Sequence, residues 1–340
     1  MIYRSKAPLR IGFAGGGTDV SPYSDIYKGA VLNATISLYA RASIEPLKDK
    51  RIILQTLDRG ERCEYDLAET LSIDGNMDLL KGVYNRICRT YGPINEGFCL
   101  STSVDAPAGS GLGSSSTLVV AILGAFTEWL KLPLGSYDTA HMAYEIERME
   151  LNIAGGKQDQ YTAAFGGFNY MEFFEKDKVL VNPLSIHKAY INELENNLLL
   201  YYTSTSRLSA EIIKKQQINV RNDNKTSIEA MHVIKKQAMD MKEALLRGNI
   251  DRMGELLHEG FVYKKRMAHS ISNTMIDEIY DSALKAGALG GKISGAGGGG
   301  FMVFYCPDIK RHNVIEALKK YNGSFKLYNF VKDGLFTWSI

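Results

Sequence analysis

Little in this sequence gives a disulfide, a membrane or a polyanion anything to act on. The four cysteines, Cys63, Cys88, Cys99 and Cys306, are scattered through 340 residues without a CxxC pair. That excludes a disulfide-stapled scaffold and reads as buried thiols in a reducing compartment. The six histidines have no metal-ligand spacing, and His258-Glu259 lacks the second histidine of a zincin, so no zinc site is expected. Long apolar runs are missing too. The longest, Leu118 to Phe126, is broken by Gly124 and is far too short to span a bilayer, and Met1 to Gly17 holds no stretch of signal-peptide length. Neither charge sign dominates, with 40 basic against 38 acidic residues and a net charge of +2. That removes the electrostatic case for nucleic acid or a membrane surface as partner. Basic clusters at Lys214-Lys215, Lys235-Lys236 and Lys264-Lys265-Arg266 fall on amphipathic helical patterns and read as solvated faces. A cytoplasmic protein is expected.

What remains is ordinary globular material with glycine gathered in three places. A hydrophobic fraction of 45% and an aromatic fraction of 10% fit a soluble globular chain, and the length suggests two domains. Residues 2 to 14 read as extended structure broken by Pro8, and Val31 to Ile44 as a strand. Ile52 to Leu57 and Arg62 to Tyr65 suggest a hairpin. Ser136 to Leu151 reads as one helix. From about residue 185 the texture changes: helical patterns rich in Lys, Glu and Met dominate from Arg207 to about Gly287. Strands at Leu289 to Ser294 and Phe301 to Tyr305, a helix, and a strand near Phe325 to Phe330 follow. With no repeat, linker or low-complexity segment, this change of texture alone draws the units at 1–185 and 186–340.

The chain is organised around Pro107-Ala108-Gly109-Ser110-Gly111-Leu112-Gly113-Ser114-Ser115-Ser116. A strand-like run, Phe98 to Val104, precedes it. After it, Leu118, Ile122, Phe126 and Leu130 recur every four residues, the spacing of a buried helix face. The glycines permit a tight turn with N–H groups pointing outward. The serines then fall on the first helical turn, where the N–H donors lack intrahelical partners and the dipole is positive. Strand, glycine loop and open helix N-terminus together make a phosphate cradle.

Two other glycine patterns fail. Gly291-Lys292 invites a Walker reading, but position 286 is alanine and Ile293 replaces the required hydroxyl. Gly295, Gly297 and Gly300 fit GxGxxG, yet a strand follows them in place of the helix a dinucleotide site relies on.

The three glycine-rich segments are Ala7-Pro8-Leu9-Arg10 to Asp19, Pro107 to Ser116, and Lys292 to Gly300. In this order they resemble the signature motifs of the GHMP small-molecule kinases, the family of galactokinase, homoserine kinase, mevalonate kinase and phosphomevalonate kinase. The middle segment matches PxxxGLGSS without departure, and the last carries the family's GAGGGG run. The resemblance implies an α+β, two-domain GHMP kinase fold. A ribosomal protein S5-like, ATP-binding N-terminal domain would occupy 1–185 and a ferredoxin-like C-terminal domain 186–340, with ATP between them. It further implies that Pro107, Gly109, Ser110, Gly111, Leu112, Gly113, Ser114, Ser115 and Ser116 bind the nucleotide.

Other residues carry over singly. Arg10 and Asp19 stand nine positions apart, like the arginine of APGR and the aspartate of GEHTDY in galactokinase-like members. Here Gly16 and Gly17 replace that motif's Glu and His, which argues against galactose. Arg10, Gly16, Gly17, Thr18 and Asp19, with Lys157, Gly297 and Gly298, would hold the sugar. Glu147 matches the family's magnesium-binding glutamate, joined by Ser115. Asp159, in Gly156-Lys157-Gln158-Asp159-Gln160, matches its catalytic aspartate, with Arg10 beside it to hold it as a carboxylate or to screen the incoming phosphoryl group. The residue types suit the reaction, because phosphoryl transfer is mainly positioning and charge neutralisation. Mg²⁺ prefers carboxylate, hydroxyl and water oxygens while it bridges nucleotide phosphates.

Within the family, Arg10 to Val20 looks like the D-glycero-D-manno-heptose 7-phosphate kinases, which phosphorylate the anomeric C1 hydroxyl for nucleotide-heptose synthesis. Fucokinases carry a related GGGTD segment and give the second reading. A non-catalytic sugar or ATP sensor on the same fold gives a third. A sugar already bearing a phosphate needs a second anion site, for which Lys28, Lys157, Arg207 and Arg221 are candidates. The oligomeric state stays open, a homodimer being one reading.

Overall fold

The computed structural model describes residues 1–205 and 209–340, so Arg207 lies outside the described residues. Eight strands build the first sheet. They are β1 (Tyr3–Ala14), β2 (Gly29–Leu47), β3 (Arg51–Thr56), β4 (Glu61–Asp66), β5 (Gly97–Val104), β6 (Phe168–Phe173), β7 (Val179–Pro183) and a late strand, β12 (Phe336–Ser339). The spatial order is β12-β1-β2-β5-β3-β4, and β6 pairs with β2 and β7. β2 is long enough to serve two neighbours: Gly29 to Ala34 pairs with β6, and Ala40 to Leu47 with β5. Five helices accompany this sheet: α1 (Tyr23–Tyr27), α2 (Asp78–Tyr91), α3 (Ser114–Leu130), α4 (Ser136–Tyr144) and α5 (Gln158–Phe165).

Pro8 does not break β1. It pairs with Tyr39, and the register slips between Pro8 and Arg10. A residue without an N–H fits such a bulge, where the ladder is already interrupted. The consequence is visible in packing. Ala7 and Leu9 would share a face of a regular strand, yet Ala7 packs into the core under α2 and α3, and Leu9 into the core on the other side. The bulge thus lands immediately before Arg10.

The second sheet has four antiparallel strands, β8 (Leu198–Tyr202), β9 (Gly290–Ile293), β10 (Phe301–Tyr305) and β11 (Ser324–Phe325), in the order β11-β8-β10-β9. Its helices are α6 (Lys188–Asn197), α7 (Ser209–Arg221), α8 (Lys225–Leu246), α9 (Ile250–Met267), α10 (Thr274–Lys285) and α11 (Lys310–Leu318). Fourth, first, third, second is the ferredoxin-like strand order the motifs imply. Alternation along β8 divides its side chains: Leu198 and Leu200 face α8, α9 and the first sheet, while Leu199 and Tyr201 face α10 and α11. The first sheet is therefore apolar on both sides, and its second face is the joint between the two halves.

Two more expectations change. Ser136 to Leu151 is not one regular helix: α4 ends at Tyr144 and Glu145–Glu150 forms a π-helical turn, in which Leu151 N–H donates to the Ile146 carbonyl. Near the end of the chain, only Ser324–Phe325 and a single bridge from Phe330 to Ile36 occupy the region read as a strand. β12 was not anticipated, and it pairs with β1 (Tyr3 opposite Ser339). The tail from Asn329 onward thus leaves the unit drawn at 186–340 and lies on the first sheet, with Leu335 seated against Gly124 of α3. Among the described residues, no helix is long and apolar enough to cross a membrane.

Candidate active site

α3 starts at Ser114 with Gly113 as its N-cap and with no side-chain cap and no acidic residue in its first turn. No residue of the helix's own first turn occupies the positive end of the dipole. Gly109, Gly111 and Gly113 all have positive φ, from 72° to 82°. At Gly111 this is compulsory, because a Cβ would also lie 2.6 Å from the Ser294 carbonyl. The loop is pinned from two sides: Arg10 Nη1 and Ser294 Oγ donate to the Gly111 carbonyl at 2.6 and 2.8 Å, and Phe301 N–H donates to Ser110. The third glycine motif thus braces the phosphate loop from both of its ends.

Across the cleft, Asp159 occupies the first turn of α5. Arg10 Nε and Nη2 both reach its Oδ1 at 2.7 Å. The carboxylate remains one-fifth exposed and faces Gly113, whose Cβ would come within 3.2 Å of Oδ2. Asp19 is buried beside it. Its oxygens accept from Gly17 N–H at 3.1 Å, Gln158 N–H at 3.1 Å and Gln158 Nε2 at 3.2 Å. Gly156 backs this carboxylate so closely that a Cβ would lie 1.9 Å from Oδ2. Asp19 is consequently a fixed acceptor.

The π-helical turn sorts three glutamates. Glu145 and Glu150 pair with Arg86 on α2, and Glu147 alone turns inward, with no exposed surface. Ser115 Oγ donates to Glu147 Oε1 at 2.9 Å, and Gln160 Nε2 donates to Oε2 at 2.6 Å. Gln160 Oε1 is buried without a partner. The Ser115 hydroxyl and the Glu147 carboxylate, both lining the cleft, form a hard-oxygen donor pair that fits Mg²⁺.

Two lysines complete the electrostatics. Lys264 Nζ donates to the Gly295 carbonyl at 2.7 Å. Burial, then the neighbouring Arg10, lower its pKa to about 8. Lys292 Nζ donates to Gly12 at 2.7 Å, and burial followed by Lys264 pushes its pKa well below the usual lysine range. The central cleft holds about 150 Å³. Through Gly109, Ser114 and Ser115 it meets a second cavity of about 260 Å³, walled by Met77, Leu79, Val104 and Leu118.

Comparison with known proteins accords with this geometry. The GHMP kinases N terminal domain matches residues 78–167 and the GHMP kinases C terminal domain residues 241–323. D-glycero-alpha-D-manno-heptose 7-phosphate kinase of Campylobacter jejuni is 46% identical over 337 residues, 99% of each chain. The chain belongs to the GHMP kinase family. A crystal structure of a D-glycero-D-manno-heptose 1-phosphate kinase from Bacteroides thetaiotaomicron superposes with a TM-score of 0.86 at 47% identity, covering 99% of each chain. The L-fucokinase/L-fucose-1-P guanylyltransferase of Bacteroides fragilis is 28% identical over 90% of this chain and 35% of its own length.

Within this GHMP kinase the motif residues divide. Arg10, Gly16, Gly17, Asp19, Gly109, Gly111, Gly113 to Ser116, Glu147 and Asp159 line one cleft. Others do not reach it. Pro107 is exposed, Leu112 is a core side chain and the buried Ser110 hydroxyl has no partner. Thr18 is spent on the Gly15 and Ala30 carbonyls. Gly297 packs on Ile271, and Gly298 N–H donates to the Ile271 carbonyl, so Gly295 and Ala296 take the place expected of Gly297 and Gly298. Lys157 is buried with its ammonium 2.8 Å from Asp177 and 3.3 Å from Asp25, outside the central cleft. Lys28 is exposed over the Phe174 ring. Lys264 overturns its reading as part of a solvated face. Leu257, Phe261 and Lys264 follow at i, i+4 and i+7, so the lysine shares the buried face of α9.

Proposed function

We propose that the cleft transfers the γ-phosphoryl group of ATP to the anomeric C1 hydroxyl of D-glycero-D-manno-heptose 7-phosphate, giving the 1,7-bisphosphate. The observation that carries this reading is Asp159 facing the open end of α3 across Gly113 in a chain 46% identical, end to end, to a kinase of that name. The apolar cavity beside Ser114 and Ser115 takes the base and ribose. The free N–H groups of the first α3 turn take the phosphates. Ser115 and Glu147 are the residues that would hold Mg²⁺, which supplies neutralisation of phosphate charge when bound. Asp159, fixed by Arg10, accepts the proton of the attacking C1 hydroxyl or orients it, while Arg10 and Lys264 offset charge on the transferring group. Asp19 accepts a hydrogen bond from another sugar hydroxyl, and Gly16 and Gly17 leave room that larger side chains would fill. The four free thiols suit a cytoplasmic location, where ATP is available.

Release of ADP against a panel of heptose 7-phosphate, heptose, fucose and mannose tests the assignment. Heptose 7-phosphate is expected to give the highest kcat/KM. A better result with fucose overturns the substrate while sparing the kinase chemistry, and binding of ATP and sugar without turnover overturns both.

A further inference from the structure

A third cavity, of about 330 Å³, adjoins the sugar end of the cleft and has no part in the transfer itself. It shares Asp19, Arg148, Ile153, Ala154 and Gly155 with the central cleft and none of the phosphate-loop residues. One wall is α7, whose Lys214, Gln217 and Arg221 stand at i, i+3 and i+7 on one helical face. Ile213 and Gln216 of the same helix line the central cleft, so α7 bridges the two spaces.

The charges around this cavity are unevenly matched. Lys157 is answered by Asp25 and Asp177. Arg148 is held by the Gly156 and Ile153 carbonyls and the Ser116 hydroxyl. Asp19 is held by Gln158 and Gly17 N–H. Gln217 donates to the Ser21 carbonyl at 3.0 Å, which clamps α7 to the segment carrying Asp19. Lys214 and Arg221 are left, both exposed and with no ion-pair partner among the described residues.

The geometry points to this cavity as the binding site for a phosphate monoester carried by the acceptor sugar, with Lys214 and Arg221 as its charge partners. The inference rests on the heptose 7-phosphate reading above. The central cleft is already committed to the terminal phosphate of ATP and to the acceptor hydroxyl beside Asp159. The adjoining cavity supplies the volume at the residue, Asp19, assigned to the sugar. Charge-assisted hydrogen bonds from an ammonium and a guanidinium are the contacts a phosphate dianion takes best.

The test is the preference ratio, kcat/KM for heptose 7-phosphate over kcat/KM for heptose, measured by ADP release. In the wild type the ratio stands far above one. In Lys214→Ala/Arg221→Ala it falls by about 100-fold, about tenfold for each lost charge-assisted bond, and through KM for the phosphorylated sugar. Lys214→Arg/Arg221→Lys keeps both charges and keeps the ratio within a few-fold. A ratio in the alanine variant equal to that of the wild type overturns the subsite and leaves the substrate standing. A wild type without preference for the phosphorylated sugar overturns the substrate reading and the subsite with it.

Discussion

Binding of a phosphate-bearing ligand to this protein at mildly alkaline pH should take up a proton, and Lys264 should be where it goes. The ligand-free lysine titrates near 8 because it is buried and faces Arg10. At pH 8.5 it therefore carries its proton in about a quarter of molecules. An anionic phosphate in the cleft restores the usual lysine affinity for a proton, so binding of ATP takes up about 0.7 proton per site at that pH. Calorimetric titration of ATP at pH 8.5 in two buffers of different ionisation enthalpy reads the uptake directly. Lys264→Met, close in length and uncharged, removes it and isolates it from Lys292, which donates to Gly12 outside the cleft. The stability sign follows from the same shift. Between pH 8 and 10.5 the unfolded chain binds more protons at this position than the folded one. Stability of the ligand-free wild type relative to Lys264→Met therefore rises with pH across that window, by on the order of 3 kcal/mol. Equal binding enthalpies in both buffers at pH 8.5, or the same uptake in Lys264→Met, would refute the reasoning.

Three further outcomes are expected. Asp159→Ala should lower kcat by about 10²- to 10⁴-fold and should also lower thermal stability, because it leaves the buried Arg10 guanidinium without its carboxylate; near-normal turnover removes Asp159 from the mechanism. Glu147→Gln keeps the shape of the buried network but removes its charge, so the Mg²⁺ concentration for half-maximal activity should rise by about tenfold or more, and an unaltered Mg²⁺ titration curve refutes the assignment. Gly156→Ala must push Asp19 aside, since its Cβ would start 1.9 Å from the carboxylate. KM for the sugar should rise by about tenfold, one lost charged hydrogen bond, while KM for ATP holds; an unchanged sugar KM would show that Asp19 does not bind it.

Much of this site is readable from local pattern. The stretch from Gly97 to Ser116 runs a strand, φ-permissive glycines and a helix start in immediate succession, so nothing distant is needed to recognise it. Arg10, Asp19 and Asp159 come from the resemblance to the family's motifs. The rest depends on contacts between distant segments. Glu147 is named through the family motif; helical spacing alone does not separate it from Glu145 and Glu150, because a π-helical turn resets which residue faces inward and Arg86 takes the other two. Lys264 sits in a run of three charges that looks solvated until its place on the apolar face of α9 is counted. Lys157 stands two residues from Asp159, yet Asp25 and Asp177, both distant in sequence, claim it. The glycines after Ala296 have the family's composition but turn to pack on Ile271. Each miss is a partner choice made across the fold.

The return of β12 to β1 carries a consequence for how the protein is made. Tyr3 to Lys6 leave the ribosome long before their outer backbone partners, Phe336 to Ser339. Throughout translation the N-terminal half holds a bare sheet edge, of the kind that recruits other chains. A nascent or truncated chain that stops short of Phe336 keeps its nucleotide loop and its Asp159, and sticks to its neighbours.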